Sequence, residues 1–451
     1  MMARFSASAL RLCGVLIVLA SAACSVDART ARSSDAAVPP VPLPVTTSRP
    51  VAELPDPRAT SGSTCKPDRR LHAEGAWARK LDRAIGTHAV GVAVGVRRHI
   101  VYRHGAERPR VPASNQKLLL SMALLDAFGP DHRIATQAAA RRVRGTVIAG
   151  DLWLIGAGDP TLSADSPGYW GGVVSPTLRT LAADIARSGI TEVRGRVMGA
   201  RGFFAHDLSA PGWQPYVPGR FVQLPAALIV DGNNSGDADP ERGAAAVLAK
   251  HLRRLGVRVS GKPGSGRPPG NVTIVTRVRS RPLSEILAYM NRTSNNFFAE
   301  MLAKLVGAET FGPPGTIAKG ARAISAWARN HGVSARTHDG SGLSYANRIS
   351  PRGLVRLLSV AARKPWAGDL RRSLPGAGEG TLRSRLYGLQ VRAKTGTLFN
   401  GASTLSGWVR SRADGRWISF SILGRNTPKA LEDRIVRTVS GLRVRATTSQ
   451  C

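Results

Sequence analysis

A serine and a lysine separated by one helical turn are the first residues that could do chemistry. Ser114 and Lys117 open the apolar segment Leu118 to Phe128, which predicts a helix closed by Gly129 and Pro130. Their spacing places the hydroxyl and the amine on one face of that helix. A serine hydroxyl becomes a good nucleophile when a base removes its proton, and a lysine is such a base when burial or another cation lowers its pKa. The pair therefore indicates acyl transfer through a serine.

The spacing by itself is weak evidence, because a helix-capping serine beside a solvated lysine gives the same pattern. Ser63 and Lys66 repeat it, but no apolar helix follows them. The copy at Ser114 is favoured because the backbone amides at a helix start would also stabilise a developing negative charge.

A second polar group, Ser294-Asn295-Asn296, lies between two segments of helical periodicity, Leu283 to Met290 and Phe297 to Leu305. It is the only Ser-x-Asn sequence in the chain. Taken alone it fits helix capping, since serine and asparagine are favoured at helix starts.

A third group, Lys394-Thr395-Gly396-Thr397, ends the short predicted strand Val391 to Lys394. The cation offers a site for an anion, Gly396 lets a substrate backbone approach closely, and the two hydroxyls can bind a carboxylate. The alternative is a basic strand end followed by a turn. Lysine is scarce in this chain, which makes a chance occurrence less frequent than in an average sequence.

The order of the three groups resembles the penicillin-recognising serine acyl-transferases, whose motifs are Ser-x-x-Lys, Ser-x-Asn and Lys-Thr-Gly. About 180 residues separate Ser114 from Ser294. That gap is similar to the one in D-alanyl-D-alanine carboxypeptidase/endopeptidases, the class C low-molecular-mass penicillin-binding proteins. The chain departs from many relatives in a shorter insert and in Asn295, where they carry Asp. Further segments that look like the family extend the resemblance over about residues 70–445: 156–162, 231–234, 296–300 and 339–344.

The resemblance implies a catalytic role for five residues. Ser114 would attack the carbonyl of a D-Ala–D-Ala bond and form an acyl-enzyme, with Lys117 accepting its proton. Ser294, helped by Lys394, would relay that proton to the leaving amine, and Asn296 would hold the substrate amide and Lys117. The family requires no metal or cofactor.

The resemblance also implies how the substrate is held. The backbone N–H groups of Ser114 and Thr397 would form the oxyanion hole, the largest stabilising contribution expected in acyl transfer. Thr395 and Thr397 would bind the terminal carboxylate, beside Gly396. Peptidoglycan stem peptides would be substrates, and β-lactams would be covalent inhibitors that stall at the acyl stage.

The predicted fold class is α/β, of the α+β kind, with an antiparallel sheet flanked by helices. An amphipathic helix over Leu71 to Ile85 precedes a strand over Ala89 to Val96, and a hairpin joins Thr404–Arg410 to Arg416–Leu423. Residues 69–132 and 281–451 would form the peptidase domain. Residues 133–280, with short β runs among many Gly and Pro, would form a β-rich accessory domain inserted between the first two motifs, one run being Val193 to Met198.

The N-terminal residues predict export. Arg4 and Arg11 flank a polar start, Leu12 to Leu19 is mostly apolar, and small residues follow up to Cys24. Residues 1–23 therefore fit a signal peptide, and residues 24–68, rich in Pro, Ser and Ala, fit a disordered tether. The sequence before Cys24 also resembles a lipoprotein cleavage box, so lipidation at Cys24 and ordinary cleavage both stay open.

The cysteines predict one disulfide. Cys65 precedes the first folded segment and Cys451 is the last residue, and export makes a bond between them permissible. A free terminal thiol is the alternative. No Cys or His spacing typical of zinc sites occurs, so no structural metal is expected.

The composition excludes several classes of protein and suggests partners. The 64 Lys and Arg against 29 Asp and Glu give a net charge of +35, spread along the 451 residues. No Gly period, heptad repeat or long apolar stretch supports collagen, a coiled coil or a multi-span membrane protein. In an exported protein the charge favours anionic wall polymers or lipid head groups over nucleic acid, since no nucleic-acid module is present. A β-lactamase-like hydrolase and a non-catalytic peptidoglycan or β-lactam sensor remain as alternative functions.

Overall fold

The structure, a computed structural model, describes residues 69–448. The predicted signal peptide, the whole predicted tether, Cys24, Cys65 and Cys451 lie outside them. The strands are β1 (Arg69–Ala73), β2 (Val90–Val96), β3 (His99–His104), β4 (Ala135–Ala140), β5 (Val143–Arg144), β6 (Val147–Ile148), β7 (Leu152–Gly156), β8 (Glu192–Val193), β9 (Val197–Ala200), β10 (Arg258–Val259), β11 (Gly264–Gly266), β12 (Thr273–Arg279), β13 (Val391–Thr397), β14 (Ala402–Arg410), β15 (Trp417–Arg425) and β16 (Val444–Thr448). The helices are α1 (Gly75–Ile85), α2 (Gln116–Phe128), α3 (Leu178–Arg187), α4 (Pro240–Arg254), α5 (Leu283–Thr293), α6 (Asn296–Phe311), α7 (Ile317–Asn330), α8 (Pro351–Ala361), α9 (Ala367–Ser373) and α10 (Lys429–Ser440).

An antiparallel five-stranded sheet in the order β13-β14-β15-β2-β3 joins strands from the two ends of the described chain. Helices α1 and α10 cover one face, where Trp77, Leu81 and Ile85 pack with Ile435 and the sheet side chains. Burial of these apolar faces is the main force holding the layers together. The predicted class, a sheet flanked by helices, is confirmed.

A cluster of helices, α2 and α5 to α9, forms a second core that also includes Trp408 and Leu423 from the sheet. Helix α2 lies inside this cluster, and its residues from Gln116 to Leu125 are all buried. A helix that is apolar on every side is expected to be buried in this way. The chain therefore fixes the first turn of α2, with Lys117, inside the protein.

The stretch between α2 and α5 contains two further sheets, β11-β9-β7-β4-β12 and β10-β8-β6-β5. Its first and last long strands, β4 and β12, pair with each other, so the chain enters and leaves this stretch at adjacent points. The expectation of a β-rich segment was incomplete, because α3 and α4 pack on the sheet through residues such as Leu181 and Leu248. The two helices were not predicted from the sequence, because the many Gly and Pro residues around them favoured reading the whole stretch as short strands and turns. The boundaries proposed at residues 133 and 280 stay a prediction.

Two expectations about single elements were wrong. The predicted helix over Leu71 to Ile85 begins only at Gly75, because Arg69–Ala73 pairs antiparallel with Val444–Thr448. The predicted strand over Val193 to Met198 is two strands, β8 and β9, which belong to different sheets.

The pairing of β1 with β16 places the two ends of the described chain side by side. The predicted Cys65–Cys451 disulfide lies outside the described residues and stays a prediction. Within residues 69–448, no helix combines the length and the apolar character that spanning a membrane requires.

Candidate active site

The predicted nucleophile lies on a short turn that leads directly into α2. Ser114 is in the 3-10 turn Ala113–Asn115 and is partly exposed, whereas Lys117 in the first turn of α2 is fully buried. The Nζ atom of Lys117 lies 3.2 Å from Oγ of Ser114. The structure therefore brings the predicted hydroxyl and amine into hydrogen-bond contact.

The surroundings of Lys117 favour an unprotonated amine. Nζ also lies 2.8 Å from Oδ1 of Asn296 and 2.7 Å from the carbonyl oxygen of Ser341. Burial lowers the pKa of Lys117 to about 8, although the carboxylates of Asp339 and Glu300 act in the opposite direction. An amine with such a pKa is partly neutral near pH 8 and can accept a proton from a serine.

The Ser-x-Asn group forms the junction between α5 and α6. Ser294 ends α5 in the left-handed conformation, with φ of 59°, and Asn295 caps α6 by accepting a hydrogen bond from the amide of Phe298. Capping is thus the role of Asn295, a role that Asp fills equally well. The residues on either side of Asn295 each contact a lysine. Ser294 Oγ lies 2.9 Å from Nζ of Lys394, and Asn296 Oδ1 lies 2.8 Å from Nζ of Lys117.

The predicted lysine of the third group is buried between other cations. Lys394 lies on β13 and donates a further hydrogen bond of 3.0 Å to the carbonyl oxygen of Thr395. Burial, and then the positive charges of Lys117 and Lys429, hold the pKa of Lys394 well below its ordinary value. These like charges cost free energy in the empty protein, a cost that an anionic substrate group would remove.

Glycines allow the strand and a loop to touch the turn that carries the nucleophile. A Cβ added to Gly396 would lie 2.3 Å from Oγ1 of Thr404 and 2.9 Å from the amide nitrogen of Ser114. A Cβ on Gly342, whose φ is +87°, would lie 1.9 Å from the carbonyl oxygen of Ala113. Ala113 itself has φ of 48°, an uncommon conformation for a residue with a side chain. Close backbone contact on both sides therefore holds Ser114 in place.

The two threonines of the third group lie on β13 beside these contacts. Thr395 is half-buried and donates a 2.8 Å hydrogen bond to Oγ1 of Thr381, whereas Thr397 is exposed. Lys429, at the start of α10, donates to Oγ1 of Thr397 at 3.0 Å and to Oγ of Ser403 at 2.9 Å. A hydroxyl that accepts from an ammonium group keeps its own hydrogen available for an anion.

The chain matches a known family over most of its length. Residues 78–236 and 235–442 match the D-Ala-D-Ala carboxypeptidase 3 (S13) family. The chain belongs to this family. The predicted resemblance and the predicted class of enzyme, a serine-type D-Ala-D-Ala carboxypeptidase, are therefore confirmed.

Relatives and a solved structure are consistent with this membership. The D-alanyl-D-alanine carboxypeptidase of Actinomadura sp. (strain R39) is 32% identical over 432 residues, covering 74% of this chain and 77% of the relative. Carboxypeptidase DacB of Mycolicibacterium smegmatis is 29% identical over 445 residues and 91% of each chain. The crystal structure of penicillin binding protein 4 (dacB) from Haemophilus influenzae has a TM-score of 0.67 at 20% identity, covering 80% of this chain and 98% of that one. That likeness shows the fold.

Two charged residues beside the motif residues were assigned no role from the sequence. Glu300, one turn beyond Asn296 on α6, is fully buried and accepts hydrogen bonds from the amides of Gly340 and Ser341. Burial, and then the charge of Asp339, raise the pKa of Glu300 to about 7. Because the carbonyl of Ser341 accepts a hydrogen bond from Lys117, Glu300 helps to position the residue that contacts the lysine. A carboxylate among the apolar residues Phe297 to Leu302 of α6 was the available signal.

Lys429 is the second such group, and no motif marks it. It follows Pro428 at an ordinary helix start, and its Nζ lies 3.6 Å from Oε1 of Glu432, which also pairs with Arg385 at 2.8 Å. Burial lowers the pKa of Lys429. These neighbours fix the ammonium group between Thr397 and Ser403.

Proposed function

We propose that the protein cleaves the D-Ala–D-Ala link of peptidoglycan stem peptides through an acyl-enzyme on Ser114, as a carboxypeptidase/endopeptidase. The observation that carries the proposal is the 3.2 Å contact between Oγ of Ser114 and Nζ of a buried Lys117. The named activity of the Actinomadura relative agrees with this substrate. β-Lactams would acylate the same serine, and the Haemophilus fold neighbour has been solved in complex with a β-lactam.

In the first step, Oγ of Ser114 attacks the carbonyl carbon of the penultimate D-Ala while Nζ of Lys117 takes the hydroxyl proton. The carbonyl π bond breaks and its oxygen becomes the oxyanion of a tetrahedral intermediate. The backbone amides of Ser114 and Thr397 are the predicted donors to that oxygen, and each such donor contributes about 10²–10³ to the rate in serine hydrolases. Asn296 keeps Lys117 aligned through its 2.8 Å hydrogen bond.

In the second step, the C–N bond breaks and the leaving amine of the terminal D-Ala takes a proton. Ser294 delivers its hydroxyl proton and regains one from the Lys117 ammonium group, which leaves Lys117 neutral again, and the Ser294 hydroxyl is held 2.9 Å from Nζ of Lys394. The terminal carboxylate lies against Thr395 and Thr397, with Lys429 supplying positive charge. The hydroxyl of Thr397 is free to donate to it, and the hydroxyl of Thr395 would turn from Thr381 to do the same. Water then attacks the ester carbon and gives a proton to Nζ of Lys117, which passes it to Oγ of Ser114 as the ester C–O bond breaks. The shortened stem peptide leaves with a new carboxyl group.

This substrate places the enzyme outside the cytoplasmic membrane, at the cell wall or the outer face of the membrane, because peptidoglycan lies there. The predicted signal peptide agrees with that location and lies outside the described residues, as does Cys24, for which lipidation and ordinary cleavage both stay open.

A fluorescent penicillin tests the proposal directly. We expect a covalent adduct on the wild-type protein, located by peptide mass spectrometry on the fragment that contains Ser114. The same preparation should release D-Ala from a synthetic pentapeptide stem. An adduct on another residue would refute the assignment of the nucleophile, acylation without D-Ala release would favour a non-catalytic sensor, and rapid turnover of nitrocefin would favour a β-lactamase-like hydrolase.

Lys429→Met tests how the carboxylate is held. Because the variant removes the donor to Thr397 and a nearby positive charge, kcat/KM for a stem peptide with a free terminal carboxylate should fall about 10- to 100-fold. Most of the loss should appear in KM, since the carboxylate is bound before and during reaction. Steady-state D-Ala release measures both constants.

The matched substrate for this test ends in a carboxamide instead of a carboxylate. Wild type should strongly prefer the carboxylate, and Lys429→Met should lose most of that preference. An equal loss on both substrates would mean that Lys429 only supports the fold of β13, contrary to the proposal.

A further inference from the structure

The edge of the main sheet remote from the predicted catalytic residues carries an arginine-rich groove. Two adjoining cavities of about 730 Å³ and 710 Å³ lie along β3 and share the residues Leu71, Arg98 and His99. We call the two together the basic groove. Among residues 69–448, no Asp or Glu lines it, whereas seven arginines do, from the β2–β3 turn, β3, α8, the segment after α8 and the β14–β15 turn.

Most of these arginines have no counter-charge. Arg352 pairs with Glu107 at 3.0 Å and Arg416 with Asp414 at 2.6 Å. Within residues 69–448, the others make no ion pair, and they are exposed: Arg97, Arg98, Arg103, Arg356 and Arg363. Placing like charges together costs free energy in the unbound protein, and an anionic partner would reverse the sign of that contribution.

The chemistry and the shape of the groove favour one class of partner. Guanidinium groups bind phosphate oxygens in bidentate geometry. A cluster of arginines is therefore better suited to binding phosphodiesters than to binding neutral sugars. The two cavities adjoin at their three shared lining residues, and a trough made of both would suit a linear chain. Of the large apolar side chains that are exposed within residues 69–448, none lines the trough, so a membrane would find no apolar anchor there.

The groove and the catalytic residues occupy opposite edges of one sheet. The sheet order is β13-β14-β15-β2-β3, with Lys394 on the first strand and the groove along the last. Four inter-strand spacings separate these edges, which is about 19 Å. A polymer in the groove would therefore leave the catalytic cleft free for a stem peptide.

We propose that the basic groove binds a linear phosphodiester polymer of the cell wall and holds the enzyme beside its substrate. The location at the wall rests on the proposed function, whereas binding of the polymer does not depend on the active site.

A binding experiment with a matched control tests this. The probe is a fluorescein-labelled glycerol phosphate oligomer of defined length, and its Kd is measured by anisotropy at several salt concentrations. The groove variant carries Arg98→Gln, Arg103→Gln and Arg356→Gln. The control carries the same change in net charge at three exposed arginines of the inserted stretch, as Arg142→Gln, Arg144→Gln and Arg254→Gln.

We expect the groove variant to bind the oligomer at least about tenfold more weakly near 0.1 M salt, the control to stay within about twofold of wild type, and wild-type affinity to fall as salt rises. An equal loss in both variants would mean that only net charge matters and would overturn the proposal. Absence of binding to wild type would overturn it as well.

Two further binding measurements distinguish the proposed phosphodiester polymer from other anionic partners. Equal binding of labelled polyglutamate of matched charge would contradict recognition of phosphodiesters. Binding to phosphatidylglycerol vesicles but not to the oligomer would replace the polymer by a membrane surface. Acylation by labelled penicillin, measured on the same samples, should be unchanged in both variants, so a failure of this proposal is distinguishable from a failure of the proposed function.

Discussion

Lys117→Ala is expected to slow the acylation of Ser114 by labelled penicillin by roughly a thousandfold or more. The variant removes the base 3.2 Å from the serine hydroxyl, and no other amine contacts that oxygen within residues 69–448. The fold should survive, because the carbonyl of Ser341 and the amide of Asn296 lose one donor each at a cost of about 1–3 kcal/mol. Stopped-flow fluorescence gives the rate, and circular dichroism confirms the fold.

The pH profile distinguishes a base from a structural lysine. Since only neutral Nζ accepts a proton, and the pKa of Lys117 is lowered to about 8, wild-type acylation should rise with pH up to that value and then level off. Between pH 6 and pH 8 the neutral fraction, and with it the rate, should increase about 50-fold. The residual rate of Lys117→Ala should lack this inflexion. Acylation of the variant at a wild-type rate, or a flat wild-type profile, would refute the role as base.

The local features of the site were predictable because each depends on neighbours in sequence. The apolar run after Lys117 predicted a buried helix, and α2 is buried along nearly its whole length. The predicted strand at Val391 and the hairpin through residues 402–425 also formed, with ends moved by one to three residues. Short-range patterns of period two and 3.6 carry this information.

The contacts between distant segments could not be predicted in this way. Glu300 and Lys429 act through the Ser341 carbonyl and the Thr397 hydroxyl, which come close only after the chain folds. The strand Arg69–Ala73 forms because it pairs with Val444–Thr448, from the other end of the chain. Local propensity carries no information about such a distant partner, so this strand could not be predicted. The Ser294-Asn295-Asn296 group combines a local and a distant contact. Capping of α6 by Asn295 involves neighbours in sequence, whereas the contact between Ser294 and Lys394 joins segments that are far apart in sequence.

Lys394→Met is expected to reduce acylation by about 10²–10³-fold while leaving stability equal to or above that of wild type. The variant removes the donor to Ser294. It also removes a fully buried amine whose charged form is disfavoured by burial and by Lys117 and Lys429, so the folded protein loses an unfavourable group. Methionine fills a similar volume without a charge. Labelled penicillin gives the rate, and thermal unfolding gives Tm.

Lys304 offers the matched control, because it is buried to the same degree but serves a different purpose. Its Nζ lies 2.7 Å from the Asp207 carboxylate and donates to the carbonyl oxygens of Ala205 and Pro225. Lys304→Met leaves that carboxylate without its partner and should cost about 2–4 kcal/mol of stability. The folded fraction should still acylate. The two variants should therefore differ: Lys394→Met should lower the acylation rate, and Lys304→Met should lower Tm. If rate and Tm fell together in Lys394→Met, the role of Lys394 would be structural, and the proton path through Ser294 would have to be abandoned.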